Sequence, residues 1–580
     1  MTSDNSSHDQ QSDISNSSKN DHMHKKTEES ESGWSPLRNH KIFLAFWIAS
    51  IVSNLGSSMH DVSASWFMTT QTQSPLFVSL IPAVSSLAIV LFILFGGAFS
   101  DIFDRRRLLL FIQSWMMITA LTMGIITMMD LMSPSLLLIF TFILGIGIAL
   151  NMPLAIVTSI EMTSNQEKQA TVTLGSISIN IGRAAGPLIG GVVISLLGGV
   201  MGSGAVFLLN ALTFVFMFYV VYNWKRKTPR EKLPSEHVFE ALRSGVMYVV
   251  HSHQAHAMFI RASSFIIFGS VIMAVLPVLV REDLGLGSTS FGILLSLLGI
   301  GSLIGGLIVL PRLRNRLTYE RIIIYSTILL AVVIAILGFV RDFTVLSVSI
   351  TLGGIGWILI ISSLHFSMSI TTPKWVGSRG LAFYLLIFQS ATAIGSIIWG
   401  LVATEIGIQF AFLFAAIGMV ASLLAGLKYK LSADLELEYE PSHHWPSPNV
   451  VIEPSPEDGP IFVKIEYNID PSRLKEFTFA MKELYNVRKR NGALHWRLYK
   501  ENNKESLLIE TFVVSSWAEH LRQHEQITKD DKKIQDHVNS FNADNKNPSI
   551  SHLIAQHLPD DKKELRNLAK EGIKMGRHEK

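Results

Sequence analysis

Between residues 41 and 428 the sequence is filled by apolar windows of about 20 residues or more, separated only by short charged or turn-forming stretches. A water-soluble core cannot bury so many consecutive apolar segments. In a bilayer each becomes a helix, because a helix satisfies its own backbone hydrogen bonds where no water is present to do so. The windows give twelve spans, near 42–68, 76–100, 107–129, 134–158, 170–196 and 203–223, then 258–280, 288–311, 321–340, 344–370, 379–403 and 407–428. Charged residues make up 16% of the chain, against roughly 25% in average soluble proteins, and they gather before residue 41, in short loops and after residue 428. The expected fold class is therefore an all-α polytopic membrane protein of twelve transmembrane helices in two six-helix repeats, with a soluble addition at its end.

Positive charge sets the orientation. Arg105 to Arg107, Lys168, Lys225 to Lys227, Arg230, Lys232, Arg312, Arg314, Arg316, Lys374 and Arg379 fall in alternate loops, and the opposite loops hold little beyond Arg281 and Arg341. By the positive-inside rule both termini are cytoplasmic, which fits a multi-pass protein of an inner or plasma membrane. The sequence contains no cysteine, which excludes disulfides, thiolate metal sites and thiol catalysis. A net charge of +3 sums unlike parts and gives no ground for a nucleic-acid partner.

The domain reading follows composition. Residues 1–38, rich in Ser, Asn, Asp, His and Glu, form a disordered cytosolic tail, in which His22 and His24 beside Lys25 and Lys26 are solvated. No cleavable signal peptide precedes the first span, whose apolar run from Ile42 is too long for one. Residues 39–223 form the first six-helix bundle and 258–430 the second. The linker 224–257 carries an amphipathic helix around 238–250 that lies on the membrane surface. The halves echo each other: Gly96-Gly97 leads into Asp101 and Arg105 to Arg107, as Gly305-Gly306 leads into Pro311, Arg312, Arg314 and Arg316. Parallel repeats of this kind place a substrate cavity between them near the bilayer midplane.

The stretch Ser176 to Gly191, SISINIGRAAGPLIGG, organises the first half. Gly182, Gly186 and Gly190 share one helical stripe, a surface on which two backbones can approach closely. Pro187 removes a donor and clashes with the preceding turn, so a kink is expected there. Arg183, Asn180 and Ser176 make a second, polar stripe. A guanidinium at that depth costs at least about 2.5–3.5 kcal/mol, so Arg183 should face protein or water rather than lipid. These residues resemble the antiporter motif of the fifth helix in the major facilitator superfamily, in its drug-and-siderophore (enterobactin-exporter) efflux branch. The match from Gly182 to Gly191 is complete, while the upstream glycine is replaced by Thr173, with Gly175 nearby. Whether the glycines, with Pro187 and Gly191, are a packing seam or a hinge stays open at this level.

The run from Gly97 through Asp101 and Asp104 to Arg105, Arg106 and Arg107 resembles the same superfamily's signature loop between its second and third helices. The resemblance implies that Asp101 latches the cytosolic gate against the eleventh helix near Ser378 and Arg379. Ile102 stands where that family places a basic residue, and Asp104 where it places a glycine. In the first span Asp61 lies about 28 Å along a helix begun at Ile42, in the outer half. A carboxylate there is suited to take and release protons as access alternates, as the resemblance implies for a coupled antiporter; an interfacial aspartate meeting water is the alternative. The fourth span, through Asn151 and Pro153, lacks the arginine of many proton-coupled relatives, which leaves Asp61 and Arg183 as coupling candidates. Glu161 is expected as a solvated boundary charge. His365, Gln389, Trp399 and Trp357 are candidate cavity residues, and Gly395 and Gly400 permit close contacts of the eleventh helix.

After a Pro-, Glu- and Ser-rich linker at 431–458 the pattern becomes soluble. Strands at 461–467, 494–500, 507–514 and 549–556 and helices at 471–490, 516–526 and 529–541 give a βαββαβ order, which implies a ferredoxin-like domain over 459–557 before a charged tail at 558–580. Gly492 to Trp496 and Glu510 to His524 resemble the antibiotic-biosynthesis-monooxygenase-like dimeric α+β barrels, a family in which cofactor-free oxidation occurs. His495, His520, His524 and Glu510 form no metal triad at diagnostic spacing, and a homodimer or a regulatory role is the expectation for this domain. The function expected of the whole is secondary active export of a small molecule by proton-coupled antiport, with no cofactor and no metal. Uptake by the same fold, or a transporter fused to a monooxygenase-like enzyme, are the alternatives.

Overall fold

The computed structural model describes residues 33–226, 247, 250–371, 377–429, 442, 454–543 and 547–555. Most of the expected tail, the amphipathic helix at 238–250 and the charged tail at 558–580 lie outside the described residues. So do the side chains of Gly97, Asp101, Ser378 and Arg379, although their backbone is helical. The chain divides into two compact units, one holding most of residues up to 434 and one holding the C-terminal domain.

Twelve helices of the first unit are long and apolar enough to cross a membrane. They are α1 Lys41–Gln71, α2 Pro75–Ile102, α3 Arg105–Met128, α4 Pro134–Glu161, α5 Lys168–Leu197 and α6 Gly199–Asn223. The second six are α7 Ala255–Asp283, α8 Ser288–Arg314, α9 Tyr319–Phe339, α10 Phe343–Thr371, α11 Gly377–Glu405 and α12 Ile408–Lys428. Local chemistry fixes the starts. Pro75 and Pro134 stand in first turns, where a missing N–H costs nothing. Asp104, Ser133 and Thr318 cap α3, α4 and α9 by accepting from the backbone N–H three residues on. One short helix, Ser35–Asn39, lies inside the segment expected as tail. It is held because Asn39 Nδ2 donates to Glu167 at 2.8 Å and the His40 ring meets the same carboxylate at 2.8 Å.

Within the first half α1 packs on α5 and α6, α3 on α6, and α2 on α4. Across the halves α5 lies along α8, and α2 meets α7. The halves are joined at one end. There Leu76 N–H donates to Thr404 Oγ1 (3.1 Å), Arg281 Nη1 to Thr69 Oγ1 (3.3 Å) and Ser288 Oγ to the Gly191 carbonyl (3.0 Å), and Trp66 stacks on Phe291 at 6.1 Å. Among the described residues, hydrogen bonds between the halves run from this end only to mid-depth.

The second unit folds as β1 Ile461–Asn468, α13 Leu474–Arg490, β2 Arg497–Lys500, β3 Leu507–Val514, α14 Trp517–Gln526, α15 Lys529–Asn539 and β4 Ser549–Ile554. The sheet order is β2-β3-β1-β4 with all pairs antiparallel; Val463 faces Phe512 on one side and His552 on the other. Alternation in β1 buries Ile461, Val463, Ile465 and Tyr467 against Phe477, Met481 and Leu484 of α13. The opposite sheet face carries the exposed Phe462, Tyr499 and Leu553. This is the connectivity on which the ferredoxin-like expectation rests.

Candidate functional site

Helix α5 is the element shared by two seams. Toward α1 it presents the expected glycine stripe: a Cβ added to Gly182 would come within 2.7 Å of Asn54, one at Gly186 within 2.6 Å of Ser58, and one at Gly190 within 3.1 Å of the Met59 Cα. Asn54 Nδ2 donates to Ser178 Oγ across this seam at 3.0 Å. Gly191 does not belong to that stripe. It faces α8, where a Cβ would lie 2.5 Å from the Ser288 carbonyl.

The α8 seam is built around Pro187. A proline cannot donate to the carbonyl four residues back, so the Arg183 carbonyl is freed from the helix ladder. That oxygen lies against Gly299, where a Cβ would stand only 2.6 Å from it. The next amide, Leu188 N–H, donates to Ser296 Oγ at 2.9 Å. Ser288, Gly292, Ser296 and Gly299 thus form a small-residue stripe on α8 that receives the Pro187 face of α5. Sequence reasoning missed it, although its spacing of four, four and three was visible.

Asp61 and Arg183 come from α1 and α5 and lie within electrostatic reach of one another. Both keep accessible surface while surrounded by the bundle. Neither forms an ion pair or a side-chain hydrogen bond among the described residues. Asn180 does not extend this pair, since its Nδ2 donates to the Ser176 carbonyl of its own helix at 2.9 Å. An apolar groove of about 930 Å³ runs between α1, α5 and α6, lined by Leu55, Gly56, Met59, Ile189, Thr213 and Phe216.

At the helix ends of the first half remote from the joined end the charges are paired. Arg226 donates to Asp104 at 3.0 Å and to Glu161 at 3.1 Å, and Arg105 pairs with the same Glu161. Glu161 is therefore not the solvated boundary charge expected: its side chain is 16% exposed and held by two guanidiniums. Burial opposes ionisation of Asp104, but the Arg107 N–H and Arg226 prevail and hold its carboxyl below the ordinary range. Arg106 donates to the carbonyls of Val221 and Tyr222, which ties α3 to the end of α6. In the second half Trp399 Nε1 donates to the Ile267 carbonyl at 2.6 Å and Trp357 packs tilted against Phe265 at 5.1 Å, so both are packing residues. His365 lies against the Tyr384 ring at 4.5 Å, and Gln389 is half-buried. Gly395 faces α7 and Gly400 faces Ser79 of α2.

In the C-terminal domain Glu510 is fully buried and accepts from Arg488 Nε (3.0 Å), Trp496 Nε1 (2.8 Å) and Tyr467 Oη (2.9 Å). Burial and this carboxylate hold the Tyr467 phenol well above its usual range. His520 is 1% exposed between Trp517, His524 and His552. Burial, then the neighbouring His552 and His524, push it down to about 3. Among the described residues no group of three potential ligands is placed to hold a metal ion.

Two six-helix halves, joined at one end around a charged pair, define a membrane transporter of the major facilitator type. The chain belongs to the transmembrane secretion effector family, whose pattern matches residues 31–559. It is similar to the staphyloferrin A transporter of Staphylococcus aureus (strain NCTC 8325 / PS 47), with 23% identity over 405 residues, 69% of this chain and 98% of that one. Among solved structures it resembles a bacterial homolog of the human lysosomal transporter Spinster in an inward-facing, unoccupied conformation (15% identity, TM-score 0.53, covering 68% of this chain and 96% of that one). It also resembles the POT family transporter PepTSo (11% identity, TM-score 0.55, covering 68% and 99%). These structural likenesses speak to the fold.

Proposed function

We propose that the protein exports a small molecule, of the siderophore or drug class, by alternating access driven by proton influx. The observation that carries the proposal is the Asp61–Arg183 pair: opposite charges on α1 and α5, both accessible within the bundle and neither neutralised by a direct partner. Such charges inside a membrane mark substrate or ion pathways. Protonation of Asp61 would leave Arg183 as the one charge of the pair, changing what the chamber attracts in each state. The likeness to a staphyloferrin A transporter supports a siderophore-class substrate, and a guanidinium is a fitting contact for any carboxylate such a substrate carries.

In this reading the protein sits in the inner or plasma membrane with both termini cytosolic. The joined end is then extracytoplasmic and the chamber opens inward. Asp101 latches the inner gate in the opposite state, beside the Arg105–Glu161–Arg226 network. The seven segments expected from composition, from the tail at 1–38 to that at 558–580, stand as the working domain plan. The C-terminal domain, ferredoxin-like and related to the dimeric α+β barrels, joins two copies through the sheet face of Phe462, Tyr499 and Leu553 rather than acting as an enzyme.

The test is twofold. Comparing spent medium from cells with and without the protein identifies the exported compound, and unchanged medium would count against export. In proteoliposomes Asp61→Asn is expected to abolish gradient-driven transport of that compound while leaving exchange; driven transport at the wild-type rate removes Asp61 from the mechanism.

A further inference from the structure

Asp61 has a neighbour that the transport reading leaves unused. His60 is turned about 100° around α1 from it, is 3% exposed, and has neither ring nitrogen partnered among the described residues. The seam around it is regular. On α1, Gly56, His60 and Ser63 follow at i, i+4 and i+7; on the antiparallel α6, Ser203, Phe207 and Asn210 do the same. They meet in pairs. Ser63 Oγ donates to the Ser203 carbonyl at 3.2 Å, and the His60 ring lies 4.8 Å from that of Phe207, centroid to centroid. A Cβ added to Gly56 would come within 2.7 Å of Asn210 Oδ1.

Two more buried atoms on this seam, Ser203 Oγ and Asn210 Nδ2, lack partners among the described residues. Ser63, Ser203 and Asn210 are fully buried. Buried polar groups are as a rule hydrogen-bonded, and orphans gathered on one seam mark a place that internal water completes. The composition of the seam also suits either charge state of the ring. A neutral imidazole offers one donor and one acceptor, and the amide and hydroxyls can match both. An imidazolium offers two donors, for which Asn210 Oδ1 and the hydroxyl oxygens are acceptors.

We propose that the α1–α6 seam is a hydrated pocket in which His60 reversibly binds a proton, as a second protonation site beside Asp61. The step is a simple transfer: the ring lone pair takes the proton of a hydronium ion and releases water. The charged residues on the elements around it are Lys41 and Asp61 on α1, Lys168 and Arg183 on α5, and Arg105 to Arg107 on α3; α6 carries none, its titratable groups being Tyr219 and Tyr222. The place of this site in the transport cycle rests on the proton-coupled reading, but the binding itself does not.

The test uses the full chain in lipid nanodiscs with ring-¹⁵N histidine. Subtracting the His60→Gln spectrum isolates the His60 signals, and His60→Phe, which fills the seam with an apolar ring, isolates them if the first variant does not fold. The expected result is a signal that passes from neutral to imidazolium form as the pH is lowered and that exchanges with water. Radiolytic hydroxyl labelling should also mark the buried Phe207, several-fold less in His60→Phe than in the wild type. A single neutral tautomer throughout, without water exchange and without labelling of Phe207, overturns the proposal. Because no substrate is needed, this outcome is independent of the Asp61→Asn transport test, whose failure would remove proton coupling through Asp61 and leave the pocket standing.

Discussion

Substituting Gly299 by alanine tests whether the α5–α8 seam sets the balance between transport states. The new Cβ would stand 2.6 Å from the Arg183 carbonyl oxygen, where the closest comfortable C···O contact is about 3.3–3.6 Å. The shortfall of about 0.7–1.0 Å is backbone against backbone, so no side-chain rotation relieves it. Overpacking of this kind costs about 1–3 kcal/mol. The contact joins opposite halves, so the cost falls on the joined state and shifts the equilibrium away from it by roughly 5- to 150-fold. The chain contains no cysteine, so a disulfide reporter has no background. A Leu76→Cys, Thr404→Cys pair placed at the joined end should cross-link readily in the parent and much more slowly with Gly299→Ala. Gly287→Ala, at a position with nothing within 4 Å, is the control and should leave the rate unchanged. Equal cross-linking in the Gly299→Ala and control backgrounds would refute the argument that this seam holds the halves together.

Three further outcomes follow from the charges. Glu161→Gln removes the carboxylate that Arg105 and Arg226 share and should cost about 1–3 kcal/mol, seen as a lower melting temperature in detergent. Glu510→Gln leaves Arg488 buried without its counter-charge; a loss of about 3–5 kcal/mol should appear as fast proteolysis of the C-terminal domain within the full chain. His520, held down to about 3 from 6.5, stays neutral in the folded domain but takes a proton on unfolding, so acid favours the unfolded form. Domain stability is whole above the unfolded value of 6.5 and should fall by about 1.4 kcal/mol per pH unit on acidification toward 3. His520→Phe should flatten that slope in an acid proteolysis series.

The membrane part was legible because length and apolarity alone decide it: each expected span overlaps its helix, and the ends differ by a few residues where caps such as Asp104 and Thr318 set them. What the sequence shows poorly is which neighbour a stripe meets. Gly190 and Gly191 are adjacent in the chain, yet one faces α1 and the other α8. Periodicity separates them by 100° and does not name the partner. Glu161 read as solvated because its two guanidiniums arrive from Arg105 and Arg226, 56 and 65 residues away. The burial of His520 was not legible because it depends on the strand laid against its helix, and His552 is supplied by β4 at the far end of the domain. Small residues at 288, 292, 296 and 299 in an apolar span look like composition until the Pro187 face of α5 shows what they receive.

The α5 glycines, which the sequence leaves as seam or hinge, divide between two faces. Gly182, Gly186 and Gly190 bring α5 onto α1 of the same half, where Asn54 and Ser178 also bond, so this face ties two helices that would move together in the proposed alternating-access cycle. The opposite face is held across the halves by Ser288 and Ser296, each a single hydrogen bond to backbone. Those bonds can be exchanged for water as the halves part, at a net cost of about 0.5–1.5 kcal/mol each. Pro187 opens the helix ladder at Arg183 and leaves a backbone carbonyl, which in the proposed cycle α8 would cover in one state and chamber water would reach in the other. Replacing Pro187 by alanine restores the donor that the Arg183 carbonyl lacks, which straightens α5 and takes that oxygen away from Gly299. The joined end should then cross-link more slowly although no bulk has been added, and an unchanged rate would show that the kink is incidental to the seam.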